Sequence, residues 1–265
     1  MPRDNAMAVQ LVGAGPGPAD LLTVRALRAI EGADVVLYDA LVGAEVLALA
    51  PRGCARIETG KRAGRPSMAQ DEINRLMLRL AKRGLAVVRL KGGDPSIFGR
   101  VGEEREFLEA HGVRVSVVPG VTAACAAAAQ FNFPLTHRGE ARRLVFATVR
   151  LKDGEVVEDW EWAASSQTTL ALYMGRDSAA AVARRLESMG VSGLTPVAAV
   201  ENAGSVAARL IRSTVEHMSE DLSVHDMTGP VVIIVGAAAG RAADDRPVDW
   251  QDIWECATRT MKMGL

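Results

Sequence analysis

Short aliphatic runs alternate with helix-period segments along the first half of the chain. The runs lie at Val9–Gly13, Val35–Tyr38, Ala86–Leu90 and Val113–Val118, and the helical periods at Leu21–Ile30, Met68–Lys82, Gly102–Ala110 and Val121–Gln130. Aliphatic runs without polar alternation suit strands buried on both faces, and helices between them make βαβ units. The expected result is a parallel sheet covered on both sides. The second half has a different texture. Strands are expected at Leu144–Thr148, Thr169–Tyr173, Pro196–Val200, Ala207–Ile211 and Val231–Val235, with one clear helix at Ser178–Gly190. This pattern predicts a mixed sheet in a separate lobe. The fold class is therefore α/β, with residues 1–136 as a parallel-sheet domain, 137–240 as a mixed-sheet α/β domain and 241–265 as a polar tail. The boundary is placed in the polar, helix-poor stretch Leu135–Arg143, and Lys152–Gln167, with Trp160 and Trp162, reads as a surface excursion. Trp250 and Trp254 stand four apart in the tail.

Length supports two lobes, because 265 residues approach the size at which one core gives way to two. With 31 Lys+Arg against 32 Asp+Glu, the chain lacks the basic excess of a protein that coats nucleic acid. An aromatic content of 4% also argues against the stacking platforms of single-strand binders. Any anionic partner must be met by a local arginine cluster. The longest apolar stretches, Val121–Ala129 and Val231–Val235, fall well short of the roughly 20 residues that cross a bilayer. Residues Met1–Ala8 carry Arg3, Asp4 and Asn5 and lead directly into the first strand, so no signal peptide is expected and the cytoplasm is the expected compartment. Cys54, Cys125 and Cys256 are odd in number and widely spaced, which fits buried reduced thiols. His111, His137, His217 and His225 have no metal-binding spacing, so no metal is expected.

Candidate chemistry lies at strand ends. The first strand runs into Gly13-Ala14-Gly15-Pro16-Gly17-Pro18. A dinucleotide fingerprint needs a third glycine at position 18, where proline removes an N–H, although Asp39, about 20 residues on, could stand in for the ribose-binding acid. A nicotinamide oxidoreductase is thus a competing reading that Pro18 opposes. More informative is Lys91-Gly92-Gly93-Asp94-Pro95-Ser96-Ile97-Phe98-Gly99-Arg100, which follows a buried strand and precedes a helix. Open α/β sheets bind ligands at the carboxyl ends of their strands. Two glycines there let bare backbone approach a small molecule, and Asp94 supplies a carboxylate. The plainer alternative is a tight turn with an Asx cap. Pro119-Gly120-Val121-Thr122-Ala123 repeats the arrangement at the next strand end.

These segments join a longer ordered set: Leu21-Leu22-Thr23, Tyr38-Asp39-Ala40-Leu41-Val42, Gly60-Lys61-Arg62-Ala63-Gly64, Gln70-Asp71-Glu72-Ile73-Asn74, Gly102-Glu103-Glu104, Pro134–Arg138, Tyr173-Met174-Gly175 and Val200-Glu201-Asn202. Together they resemble the uroporphyrinogen-III C-methyltransferases of the tetrapyrrole methylase family, over about Val9–Gly236. The resemblance implies a homodimer of two α/β lobes with a ligand cleft between them. It implies binding of S-adenosylmethionine, release of S-adenosylhomocysteine, and methylation of uroporphyrinogen III at C2 and C7 to give precorrin-2. Carried over by position, the cofactor residues are Pro16, Gly92, Gly93, Asp94, Ile97, Thr122, Ala123, Met174 and Ala203, with Thr228, Gly229 and Pro230 near the adenosine. Asp39 corresponds to a proton acceptor and Lys61 to a proton donor. Arg100, Glu103 and Arg138 correspond to residues that hold the substrate. Guanidinium forks suit a substrate rich in carboxylates, and Arg62 and Arg65 lie close by in sequence. The chain departs from the family pattern at Pro18, Ser96, Val101, Ala203 and Val149-Arg150. The alternatives within the same resemblance are a methylase of a later corrin precursor and a paralogue that binds without turnover.

Overall fold

The computed structural model describes residues 7–60, 68–149, 167–241 and 246–248. Its contacts separate the chain into two compact units, Met1–Ala123 and Ala124–Leu265. The division falls ahead of the 136/137 boundary expected from composition. The Ala-rich helix belongs with the second unit because buried Gln130 at its end bonds the backbone of Gly204 and Ser205.

In the first unit the strands are β1 (Ala8–Gly13), β2 (Val35–Tyr38), β3 (Ala55–Glu58), β4 (Val87–Lys91) and β5 (Arg114–Val118). Between them run α1 (Val24–Glu31), α2 (Ala44–Ala48), α3 (Gln70–Lys82) and α4 (Val101–Ala110). The strands pair in parallel in the order β3-β2-β4-β1-β5. Period-2 alternation sorts their side chains onto two faces. Val12, Val36, Val88 and Leu90 pack with Ala26 and Ile30 of α1 and Val46 of α2. Val9, Leu11, Val35, Leu37 and Val87 pack with Ile73, Met77 and Leu80 of α3 and Leu108 of α4. Helix α1 begins at Val24, later than the periodicity suggests, because the Thr23 hydroxyl accepts the Ala26 N–H at 3.1 Å as a side-chain cap.

In the second unit the elements are α5 (Ala123–Gln130), β6 (Arg143–Thr148), β7 (Thr168–Tyr173), α6 (Ala179–Ser188), β8 (Pro196–Glu201), β9 (Arg209–Thr214), α7 (Met218–Val224) and β10 (Val231–Val235). The sheet order is β6-β7-β10-β8-β9, with β6 parallel to β7 and every other pair antiparallel. This is the mixed sheet expected. Leu172, Val197, Ile211 and Ile233 bury one face against Val182 and Leu186 of α6 and Met218 and Leu222 of α7. Among the described residues, no helix is long and apolar enough to cross a membrane. Cys54 is buried as expected, but Cys125 is exposed, because it lies on the one-residue-in-four face of α5 that its alanine neighbours do not bury. Cys256, Trp160, Trp162, Trp250 and Trp254 lie outside the described residues.

Candidate active site

Strands β1 and β4 are neighbours whose connections leave in opposite directions, β1 through α1 to β2 and β4 through α4 to β5. Parallel sheets bind ligands beyond the carboxyl ends of their strands. The two glycine loops of the sequence meet there. Gly93 donates its N–H to the Gly15 carbonyl at 2.7 Å, and Gly15 donates to the Gly93 carbonyl at 3.2 Å. A Cβ on Gly13 would stand 2.6 Å from the Gly120 nitrogen and 2.7 Å from the Gly93 oxygen. The ends of β1, β4 and β5 therefore close on one another through backbone alone. Gly93 also has φ of +66°, a conformation that disfavours side chains.

Asp94 is the strut of this cradle. One carboxylate oxygen accepts the Ser96 N–H at 2.7 Å and the other accepts the Gly120 N–H at 2.9 Å. The Asx turn considered from sequence is present, and it fixes the β4 loop to the β5 loop that carries Thr122 and Ala123. Pro16 and Ile97 are half-buried and Thr122 is buried at the same edge. Bare backbone on three strand ends, held by one carboxylate, fits a ligand that needs close main-chain contact, as the methionine end of S-adenosylmethionine does.

Asp39 leaves the end of β2, which pairs with β4, so it stands beside the Gly92–Asp94 loop. Its side chain is 35% exposed. Arg89 of β4 pairs with Asp39 Oδ1. The Thr59 hydroxyl lies 3.3 Å from the same oxygen and 3.0 Å from the Tyr38 carbonyl, between which it shares its one proton. Among the described residues, Oδ2 accepts no hydrogen bond. A Cβ on Gly60 would fall 2.5 Å from the Ala40 nitrogen, so the chain after β3 packs directly against the Asp39 turn. Lys61, Arg62 and Arg65 lie outside the described residues.

Arg100 precedes α4 in the left-handed region, with φ of +57°. Its guanidinium fork is engaged by Glu103, Nε to Oε1 at 2.8 Å and Nη2 to Oε2 at 2.6 Å, and both side chains are about half exposed. The hydrogen bonds that Arg100 donates to Glu103 push its guanidinium above its ordinary pKa. Two of the three residues expected to hold substrate are thus brought together as a bidentate pair. Arg138 belongs to the second unit, exposed on a turn closed by the His137–Ala141 bridge.

In the second unit, β7 and β8 run in the same direction on either side of β10, and the register sets Tyr173 against Val232 and Glu201 against Val231. Met174, Ala203 and the Thr228–Pro230 segment therefore share one edge of the sheet. Met174 and Asn202 both leave their strands in the left-handed region, at φ of +57° and +51°. Glu201, buried to 2% exposure, clasps this edge. Its Oε1 accepts the Gly229 N–H at 2.5 Å and its Oε2 accepts Arg209 Nε at 2.7 Å. The Asn202 N–H meets the Pro230 carbonyl at 2.9 Å. Burial pushes the Glu201 carboxyl up, but the Gly229 N–H, Arg209 and the Thr228 N–H outweigh it and hold the group below the usual range.

Sequence reasoning missed Arg89 and Glu104. Both are almost fully buried, at 2% and 0% exposure. The available signal was the charge at alternate positions of an aliphatic strand, Val87-Val88-Arg89-Leu90-Lys91, which puts two cations on the face toward α3 and α4.

A family model described as Tetrapyrrole (Corrin/Porphyrin) Methylases matches residues 8–219. A siroheme synthase of Pseudomonas aeruginosa is 44% identical over 228 residues, 86% of this chain and 49% of the relative. A siroheme synthase of Escherichia coli is 46% identical over 239 residues, 90% of this chain and 52% of the relative. The chain spans about half the length of these curated relatives. Among solved structures, a uroporphyrin-III C-methyl transferase from Thermus thermophilus complexed with S-adenyl homocysteine superposes with a TM-score of 0.76 at 39% identity, covering 88% of this chain and 99% of that one. A cobalt precorrin-4 methyltransferase superposes with a TM-score of 0.81 at 30% identity, over 90% of this chain and 98% of that one.

Proposed function

The chain belongs to the tetrapyrrole methylase family, and from that premise we propose that it methylates uroporphyrinogen III at C2 and C7 with S-adenosylmethionine, giving precorrin-2 and S-adenosylhomocysteine. The observation that carries this reading is the glycine-closed carboxyl edge of β1 and β4, with Asp39 just after the neighbouring strand β2 holding one carboxylate oxygen that accepts no hydrogen bond among the described residues. The named relatives support the substrate: the solved neighbour at 39% identity is a uroporphyrin-III C-methyl transferase complexed with S-adenyl homocysteine.

Pro16, Gly92, Gly93, Asp94, Ile97, Thr122, Ala123, Met174 and Ala203 touch the cofactor in this reading. Thr228, Gly229 and Pro230 lie near its adenosine. When bound, S-adenosylmethionine supplies a methyl group on a cationic sulfur, which a carbon nucleophile can attack directly. The chain's own contribution is alignment, exclusion of water and a destination for the proton lost from the methylated ring system. Asp39 Oδ2 takes that proton, while Arg89 and Thr59 keep Oδ1 occupied so that the open oxygen faces outward. Lys61 serves as the proton donor. Arg100, Glu103 and Arg138 meet the substrate: Arg100 exchanges its bond to Glu103 for a substrate carboxylate, and Glu103 is left to accept a pyrrole N–H. The enzyme works as a homodimer in the cytoplasm, without metal.

Asp39→Asn tests the assignment. A base used in the transition state is expected to lower kcat and kcat/KM together, by about 10²- to 10⁴-fold, with affinity for S-adenosylhomocysteine unchanged by calorimetry. Wild-type turnover with a depressed thermal midpoint would make Asp39 a turn residue instead. The superposition on a cobalt precorrin-4 methyltransferase motivates a second substrate, a later corrin precursor, which shares the cofactor site and is distinguished by the mass of the compound turned over.

A further inference from the structure

Glu104 lies on α4 with no exposed surface, under the face of β4 that carries Val87, Arg89 and Lys91. One of its oxygens gathers three donors: Lys91 Nζ at 2.9 Å, Gln70 Nε2 at 3.1 Å and Arg89 Nε at 3.3 Å. The other oxygen is buried and has no hydrogen-bond partner among the described residues. Burying charge costs stability unless it is well paired, and an apolar group of similar volume would fill the space with less penalty. Core packing alone therefore gives no reason for a carboxylate here.

Its effect on Arg89 gives one. Glu104 holds the Nε edge of the guanidinium, while Nη1 donates to the Thr59 hydroxyl at 3.1 Å and to the Leu90 carbonyl at 3.3 Å. With those edges committed, Nη2 is aimed at Asp39 Oδ1. We infer that Glu104 is a positioning residue for the proton acceptor: it sets the plane of Arg89, which fixes the Asp39 carboxylate with Oδ2 turned to the substrate. The inference rests on the reading of Asp39 as that acceptor. The groups facing Asp39 are Arg89 and, at longer range, Lys91 from β4, Thr59 after β3 and Glu104 from α4 through Arg89. Burial, followed by the neighbouring Arg89, pushes the Lys91 ammonium below the usual lysine range, and Glu104 is the first of the groups that push it back. One carboxylate thus balances two buried cations that lie beside the reacting group.

A double-mutant cycle on the full chain tests the inference, with single-turnover methylation of uroporphyrinogen III as the readout. Glu104→Gln keeps the shape and removes the charge. It is expected to slow the chemical step by about 10- to 100-fold, the scale of a misplaced reacting group, and to leave S-adenosylhomocysteine affinity within about twofold. In an Asp39→Asn background the same change is expected to have almost no further effect, because a residue acting through Asp39 has nothing left to position. If Glu104→Gln does not fold, Glu104→Asp, which keeps the charge and withdraws the oxygen by one methylene, is read in the same cycle. Wild-type turnover of the Glu104 variant, or effects that multiply across the cycle, would overturn the inference and leave Asp39 as acceptor. Wild-type turnover of Asp39→Asn alone would overturn the acceptor reading and the inference with it.

Discussion

Asp94 is an architectural residue within the proposed cofactor site. Each of its oxygens holds a backbone N–H, of Ser96 and of Gly120, and so sets the spacing of the two loops that form the cradle. Hydrogen bonds to charged groups contribute about 1.5–3 kcal/mol. Asp94→Ala is therefore expected to lower the denaturation midpoint of the protein and, by loosening the cradle, to weaken S-adenosylhomocysteine binding about tenfold or more in calorimetry. A folded variant with unchanged affinity would remove the loop from the cofactor site. Arg100 makes the opposite case, because its partner Glu103 is as exposed as it is. Exposed pairs contribute roughly 0–1 kcal/mol, so Arg100→Lys should leave stability nearly untouched. Lysine cannot reproduce a bidentate fork, and the variant is expected to raise KM for the tetrapyrrole or abolish turnover with cofactor affinity intact. Loss of cofactor binding instead would show that Arg100 serves the other ligand.

At the scale of elements, the loops at strand ends were legible and the links between them were not. Glycine pairs after aliphatic runs announced Gly13–Gly17 and Gly92–Gly93, because few other roles demand bare backbone at a strand end. The helix-period segments announced α1, α3, α4 and α6. The elements α2, β3 and α7 escaped because they are too short for a periodicity to show: α2 is the five residues Ala44–Ala48, β3 is the partly exposed edge strand Ala55-Arg56-Ile57-Glu58, and α7 buries only Met218 and Leu222. The Asp39–Arg89–Glu104 chain escaped for another reason. Its members are 50 and 15 residues apart, and only the sheet order β2-β4 and the seat of α4 bring them together. Glu201 is a similar case in the second unit, tying the end of β8 to the segment before β10. Its carboxyl sits below the usual range in the folded state. The stability that this contributes is complete above the ordinary glutamate value of about 4.3 and is lost as pH falls through the lowered value. Melting curves of wild type and Glu201→Gln should accordingly differ by a constant midpoint gap near neutrality, and the gap should close in acid. A gap that widens below pH 4 would contradict the assignment.

At the scale of the whole chain, the sequence rhythm distinguished a parallel sheet from a mixed one, because strands that alternate with helices are joined by parallel crossovers, whereas Pro196–Glu201 and Arg209–Thr214 follow one another with no helix between them and pair antiparallel. The two sheets have the orders β3-β2-β4-β1-β5 and β6-β7-β10-β8-β9, and each gathers one set of candidate ligand residues at a single edge. That arrangement follows from strand direction alone: the first sheet is parallel throughout, and in the second β7 and β8 end where β10 begins. Family membership and this geometry together support the proposed transfer of methyl groups to a tetrapyrrole. Anaerobic incubation of the protein with uroporphyrinogen III and methyl-labelled S-adenosylmethionine, followed by mass spectrometry of the product, tests it most directly. The expected product carries two labelled methyl groups, with two molecules of S-adenosylhomocysteine released for each. Recovery of unmodified uroporphyrinogen III, under conditions where the protein binds S-adenosylhomocysteine, would contradict it.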